Sequence, residues 1–183
     1  MKKLLFTRNS EIIQPLRRLI SEQKHHVLIL WALECSEFFL NMFEKKIPND
    51  NRPRIAIKKA RTWAEGNIKM PEAKAAILDC HNAARDASNY PNIEAAARAI
   101  GHACATVHVE THAIGLVIYG LTSLVYNNEE HIIEQYLDYF YDRLLYHQDN
   151  SSINDMKWAT FITKDKPNKE KLLLEKEFIN GQL

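Results

Sequence analysis

Apolar residues recur at intervals of three and four positions along most of the chain, a spacing that places them on one face of a helix. The clearest stripe runs through residues 24–46 and consists of Val27, Trp31, Cys35, Phe38 and Met42. Pro48 follows this segment and predicts its end, because proline lacks the amide hydrogen that continues a helix. The pattern therefore predicts one long amphipathic helix in the first third of the chain.

Capping and turn-forming residues divide the rest of the chain into further helices. Ser10 predicts the start of a first helix, Pro53 opens one that ends at Gly66, and Pro71 opens the next. Asn92 is predicted to cap the helix after the turn "NYPN". A last strong helix over residues 127–146 has an apolar stripe formed by Ile133, Leu137, Phe140 and Leu144.

Small residues indicate how these helices pack. Sixteen of the 18 alanines lie between Ala56 and Ala113, and short side chains let helix axes approach closely. Only 5 glycines and 6 prolines occur in 183 residues, which favours long helices over turns. We expect an all-α fold, a compact multi-helix bundle with a central antiparallel pair of small-residue helices at about 71–88 and 92–115.

The helix that begins near Asn92 is too long for a protein of this size. If it continued to Tyr126 it would measure about 52 Å, at 1.5 Å per residue. A globule of 183 residues has a diameter of roughly 40 Å. We therefore predict a kink or break near Gly115–Gly120, or else a homodimer in which the excess length packs.

Residues 1–183 are predicted to form a single helical domain with its core at about 10–147. Residues 150–183 are interpreted as a C-terminal appendage with a terminal helix over 166–180, preceded by "MKWATFIT" as a short strand or irregular segment. The three cysteines form no CxxC pair, which is typical of reduced thiols. Without an apolar run of 18 residues or a signal peptide, we expect a cytoplasmic protein that does not span a membrane.

The stretch "AIGHACATVHVETHAIG", residues 99–115, holds the candidate chemistry. On a continuous helix, Ala97, Gly101, Ala105, His108 and His112 share one face. Two histidines four positions apart have the spacing that binds one zinc ion from one helix. However, the HExxH signature of zinc hydrolases is absent, so the spacing alone is a weak metal signal.

A metal site would need a third ligand from another helix. His102 points about 120° away from His108 on a straight helix, so the third ligand would be His81, as one candidate, or a carboxylate. In the antiparallel pair, His81 and His102 lie at a similar height. Buried imidazoles that donate from one nitrogen and accept at the other explain the pattern without metal. We predict no catalytic residues, no metal and no cofactor; the alternative is a metal-assisted hydrolase that uses His108, His112 and His81.

Charged residues form two patches. Residues 44–61 carry seven positive and two negative charges, so nucleic-acid binding through the basic helix at 52–61 is a lesser alternative, although no recognition motif accompanies it. The acidic patch recurs every four residues and consists of Glu130, Glu134, Asp138 and Asp142. This acidic row is either a solvated face or a docking surface for a basic protein, where charge raises the association rate.

Three segments of the central region resemble a known family: "RPRIAIKKARTWAEG", "AKAAILDCHNAARDA" and "AARAIGHACATVHVETHAIG". Within residues 52–119 the chain resembles the all-helical putative immunity proteins of bacterial toxin systems. The residues that match the family pattern are Arg54, Trp63, His81, Arg85, Gly101, His102, His108 and His112. The resemblance implies a binding protein that neutralises a cognate protein toxin in bacteria, rather than an enzyme.

Overall fold

The predicted helices are present in the computed structural model, which describes residues 3–164, and that part of the chain contains no strand. The helices are α1 Gln14–Glu22, α2 His25–Lys46, α3 Arg52–Ala64, α4 Met70–Asp86, α5 Pro91–Ala105, α6 Ala113–Tyr126, α7 Ile133–Asn150 and α8 Thr160–Thr163. Single 3₁₀ turns occupy Glu11–Ile13, Glu110–His112 and Glu130–Ile132. The all-α prediction is confirmed, while the terminal helix predicted at 166–180 lies outside the described residues.

Prolines start several of these helices, as the sequence predicts. Pro15, Pro53, Pro71 and Pro91 each occupy one of the first two positions of a helix, where the missing amide hydrogen costs nothing. Pro91 moves the start of α5 one residue ahead of the predicted cap. Asn92 is therefore inside the helix, and its side-chain amide instead donates to Asn127 Oδ1 at 2.8 Å.

Helix α5 is the centre of the bundle and packs against α2, α3, α4 and α6. All its alanines except Ala105 are buried, and together with Ile100 they form much of the interior. Helix α4 folds back on α5 after the turn at residues 87–90, and the Cys80 thiol donates to the Ala97 carbonyl at 3.3 Å. This is the predicted pair of small-residue helices.

The long helix breaks earlier than predicted. Helix α5 ends at Ala105, a turn follows at residues 106–109, and α6 begins at Ala113. The predicted break near Gly115–Gly120 is wrong. β-Branched residues disfavour helix, and four of them lie at the observed break: Thr106, Val107, Val109 and Thr111. Because α6 folds back on α5, the length argument for a homodimer no longer applies.

Gly115 and Gly120 serve packing within α6. A Cβ at Gly115 would lie 2.5 Å from His102 Cγ, and a Cβ at Gly120 would lie 2.5 Å from Phe39 Cζ. Because these glycines have no side chain, the ring of a neighbouring helix packs directly against the backbone of α6. Any other residue at either position would clash with that ring. The sequence alone does not show whether a glycine breaks a helix or makes room for a neighbouring ring.

The described C-terminal segment joins the core. Trp158, Ala159 and Ile162 are buried, and the Ala159 amide donates to the Ala64 carbonyl at 2.7 Å. The residues of "MKWATFIT" therefore dock on the end of α3, and they contain the short helix α8 instead of a strand.

One helix within residues 3–164, α2, is long and apolar enough by length and composition to cross a membrane. In this protein, 67% of the 18-residue apolar stretch within this helix is buried. Its buried side chains include Trp31, Phe39 and Phe43, and it packs against α5 and α7. These contacts are typical of a core helix.

Candidate functional site

Three of the predicted histidines meet across three segments of the chain. The His81 ring on α4 lies 5.7 Å from the His102 ring on α5, and His102 lies 5.5 Å from the His112 ring, measured between centroids. Tyr119 of α6 stacks on His102 at 5.0 Å with an interplanar angle of 16°. We call His81, His102, His112 and Tyr119 the histidine stack. The predicted proximity of His81 and His102 is confirmed.

Two glycines make room for the stack. At Gly101 a Cβ would lie 2.8 Å from both ring nitrogens of His81, and at Gly115 it would lie 2.5 Å from His102 Nδ1. Non-bonded heavy atoms normally remain about 3.5–4.0 Å apart. Each imidazole therefore lies directly against the backbone of the next helix, which holds α4, α5 and α6 in register.

The environment of the stack favours uncharged imidazoles. Burial lowers the pKa of His81 to about 4, and the cations Arg98 and Arg85 and the neighbouring His112 act in the same direction. Burial also lowers the pKa of His102 to about 3, with further contributions from His112, His81 and Arg98. At neutral pH these rings are therefore uncharged packing groups.

His108 does not join the other histidines. It lies in the turn after α5, is exposed, and places its ring 5.8 Å from the Trp63 ring. The predicted face shared by Ala97, Gly101, Ala105, His108 and His112 requires a continuous helix, which ends at Ala105. The alternative metal set of His108, His112 and His81 is therefore not assembled. Residues 3–164 contain no group of three or more His, Cys, Asp or Glu side chains placed to hold a metal ion.

The cysteines are also unsuited to catalysis. All three are buried, and burial raises the pKa of Cys80 to about 12. Burial raises the pKa of Cys35 and Cys104 well above the ordinary value. A nucleophilic cysteine needs a lowered pKa and access to substrate, so the adjacent Cys80 and His81 do not form a reactive pair.

A second feature, which we call the aromatic pocket, lies beside His108. It encloses about 550 Å³. Its lining includes Trp63, His108, Phe161, Met70, His25 and Glu110. The Phe161 and Trp63 ring centroids are 5.4 Å apart. Sequence reasoning identified Trp63 and His108 as family-pattern residues but did not bring Phe161, His25 or Glu110 beside them. Phe161 and His25 come from distant parts of the chain, whereas Glu110 lies two residues after His108.

The acidic row is exposed on α7 and the 3₁₀ turn before it. Each of its four carboxylates is exposed, and within residues 3–164 none forms an ion pair with Lys, Arg or His. Glu134 and Asp138 line a groove of about 280 Å³ between α1 and α7, together with Leu16, Leu137 and Tyr141. The acidic row therefore borders an apolar groove.

The basic helix α3 differs from the acidic row because four of its five cations form ion pairs. Arg52 contacts Asp50 at 2.6 Å and Asp86 at 2.7 Å, and Arg61 contacts Glu37 at 3.1 Å. Further pairs join Arg54 to Glu44 and Lys59 to Glu72. These carboxylates offset much of the positive charge that a nucleic-acid backbone would require.

Two family-pattern arginines lie on the surface. Arg54 is exposed and pairs with Glu44, while Arg85 is exposed and donates to the Asn82 side chain. Both bonds lie outside the histidine stack and the aromatic pocket. The eight family-pattern residues therefore do not form one site. Three belong to the histidine stack and Gly101 supports it, two line the aromatic pocket, and the two arginines lie on the surface.

Sequence reasoning also missed an ionic cluster between α2 and α7. Glu34 accepts hydrogen bonds from Arg143 Nη2 at 3.0 Å and His147 Nε2 at 2.6 Å. Burial acts to raise the pKa of Glu34, but the hydrogen bonds from Arg143 and His147 outweigh it and hold the pKa below its usual range. The cluster fixes α7 on α2 and leaves the acidic row on the outer side.

Comparison with known families gives one match. A family model described as Imm-5 like putative immunity protein matches residues 18–144. This range contains the histidine stack and all four carboxylates of the acidic row, and it ends before Phe161. No curated protein and no solved structure gives a significant match.

Proposed function

Because the chain belongs to the Imm-5 like putative immunity protein family, we propose that it binds and neutralises a cognate bacterial toxin by direct contact. The role requires a stable surface that complements the toxin, and it requires no chemistry from the immunity protein itself. We further propose that the protein acts in the cytoplasm, where the three buried thiols stay reduced.

The acidic row on α7 supports a location for the contact with the toxin. Four exposed carboxylates without ion pairs in the described part of the chain produce a local negative field, although the net charge of the protein is only +1. Complementary charge raises the rate at which two proteins meet and selects among partners. The adjoining groove between α1 and α7 offers apolar contact area to the same partner.

The binding test begins with partner identification. A tagged copy of the protein is used to capture the products of neighbouring genes, and association rates are then measured with the purified partner. Glu134→Gln/Asp138→Asn is expected to slow association roughly 3- to 10-fold at low salt. The difference should shrink at high salt, because ions screen exposed charges.

A matched control separates location from net charge. Glu72→Gln/Asp79→Asn removes two exposed carboxylates from α4, a helix that packs against α3 and α5 and away from α7. This control should associate at the wild-type rate. If both variants slowed association equally, the acidic row would not be the contact surface. Turnover of a small substrate that depends on His108, with no protein partner recovered, would favour the hydrolase alternative.

A further inference from the structure

The aromatic pocket shares no lining residue with the groove beside the acidic row. Its walls are rings: Phe161 and His108 lie 5.4 and 5.8 Å from Trp63 between centroids, at interplanar angles of 38° and 31°. Trp63 is only 5% exposed, whereas Phe161 is 41% exposed. Trp63 therefore forms the inner wall of the pocket, and Phe161 forms the outer wall and reaches solvent.

Aromatic walls have a preferred kind of ligand. The face of an aromatic ring is partly negative, and it attracts a cation within about 6 Å of its centre. Met70 is 42% exposed at the same pocket, and its thioether provides an apolar surface for the alkyl part of a long side chain. These features suit a group with an apolar stem and a cationic end.

The pocket also holds a buried carboxylate. Glu110 is only 5% exposed, and a buried carboxylate is costly unless a cation or hydrogen-bond donors compensate it. Within residues 3–164 no Lys or Arg forms an ion pair with Glu110. Its ionic contact is with His25, whose Nδ1 lies 3.6 Å from Glu110 Oε1, too far for a good hydrogen bond.

The other nitrogen of His25 limits how well it compensates Glu110. His25 Nε2 lies 2.7 Å from the Thr106 carbonyl, and a carbonyl only accepts, so Nε2 carries the proton of the neutral ring. Nδ1 of that tautomer presents a lone pair towards the carboxylate. At 3.6 Å, His25 is therefore a poor partner for the Glu110 carboxylate, and an external cation is a better one.

We propose that the aromatic pocket receives a cationic side chain, an arginine or a lysine, from the partner protein. The cation lies against the exposed ring of Phe161, beside Trp63, and its charge is balanced by Glu110. The inference rests on the proposed function for the identity of the partner, since a basic partner also fits the acidic row. The pocket volume of about 550 Å³ lies within the usual range for ligand sites.

The test uses amino-acid probes, so it does not depend on the toxin. N-Acetyl-arginine methylamide and its lysine counterpart are titrated into the full chain, and the indole N–H resonance of Trp63 is followed by NMR. The citrulline analogue, which is nearly isosteric with arginine and uncharged, is the control. The cationic probes are expected to shift the resonance, and citrulline to bind about tenfold more weakly. Equal binding of citrulline and arginine would overturn the proposal.

Two variants connect the response to the pocket. Phe161→Ala removes a ring that is 41% exposed, and it should weaken arginine binding severalfold while its circular dichroism spectrum stays that of the wild type. Leu78→Ala removes a 52% exposed side chain on α4 and should leave binding unchanged. Glu110→Gln should abolish the preference for arginine over citrulline, with its circular dichroism spectrum checking the fold. An unchanged affinity in Phe161→Ala would also overturn the proposal, whatever the outcome of toxin neutralisation.

Discussion

Gly101 is the position where one added methyl group tests the packing of the histidine stack. In Gly101→Ala the new Cβ would lie 2.8 Å from His81 Nδ1 and Nε2, and closer still to Cε1. Normal contacts of about 3.5–4.0 Å require the imidazole to move by roughly 1 Å. The ring has little freedom to do so, because the His102 ring lies 5.7 Å away between centroids.

The sign of the change in the free energy of unfolding distinguishes Gly101 from an exposed helical glycine. Replacing an exposed glycine in a helix with alanine stabilises by up to about 1 kcal/mol, whereas overpacking a core costs about 1–3 kcal/mol. We expect Gly101→Ala to lower the free energy of unfolding by about 1–2 kcal/mol. At about 2–4 °C per kcal/mol for a chain of this size, Tm falls by about 2–8 °C. Gly101→Leu should cost at least about 3 kcal/mol, since three more carbons enter the same contact.

Thermal denaturation followed by circular dichroism measures this effect. The matched control is a double-mutant cycle with His81→Ala, which removes the ring that the new methyl group meets. In the His81→Ala background, Gly101→Ala should be neutral or stabilising, and the coupling should exceed about 1 kcal/mol. A Tm for Gly101→Ala equal to or above that of the wild type would refute the close contact between Gly101 and His81.

Two further predictions follow from buried titratable groups. In the unfolded chain His81 and His102 bind protons below about pH 6.5, but in the folded protein they do so only near pH 4 and pH 3. The unfolded state therefore binds more protons in this window, so the free energy of unfolding in urea should fall as pH drops from about 6.5 towards 3; a flat or rising profile would contradict this. Cys80 and Cys104, both buried with raised pKa values, should react with a thiol reagent only after unfolding, and labelling of the folded protein at pH 8 would count against that burial.

The positions of the helices could be predicted because they depend on local signals. Pro53 and Pro71 mark helix starts in the sequence and in the structure. The contact between His81 and His102 could be predicted from the same information, since counting back from the turn at Tyr90 sets the height of residues on two antiparallel helices. These predictions require no knowledge of the rest of the bundle.

The break after α5 and the aromatic pocket depend on tertiary contacts. Gly115 resembles a helix break in the sequence, yet its missing side chain accommodates His102, a relation visible only once α6 folds back on α5. The β-branched residues at 106–111 were the available signal for the break. Trp63, Glu110 and Phe161 are distant in sequence, and no periodicity predicts that they line one pocket.

Rescue from the toxin in living cells tests the central claim most directly. Cells that express the toxic product of a neighbouring gene are supplied with this protein, with Glu134→Lys/Asp138→Lys, or with Glu72→Lys/Asp79→Lys on α4 as the control of equal charge change, and growth is measured. The account predicts that the wild type and the control restore growth, and that the charge reversal on α7 impairs rescue while the variant remains folded. Failure of the wild-type protein to protect against any neighbouring gene product would contradict the account, and full protection by the charge-reversed variant would contradict the proposed contact.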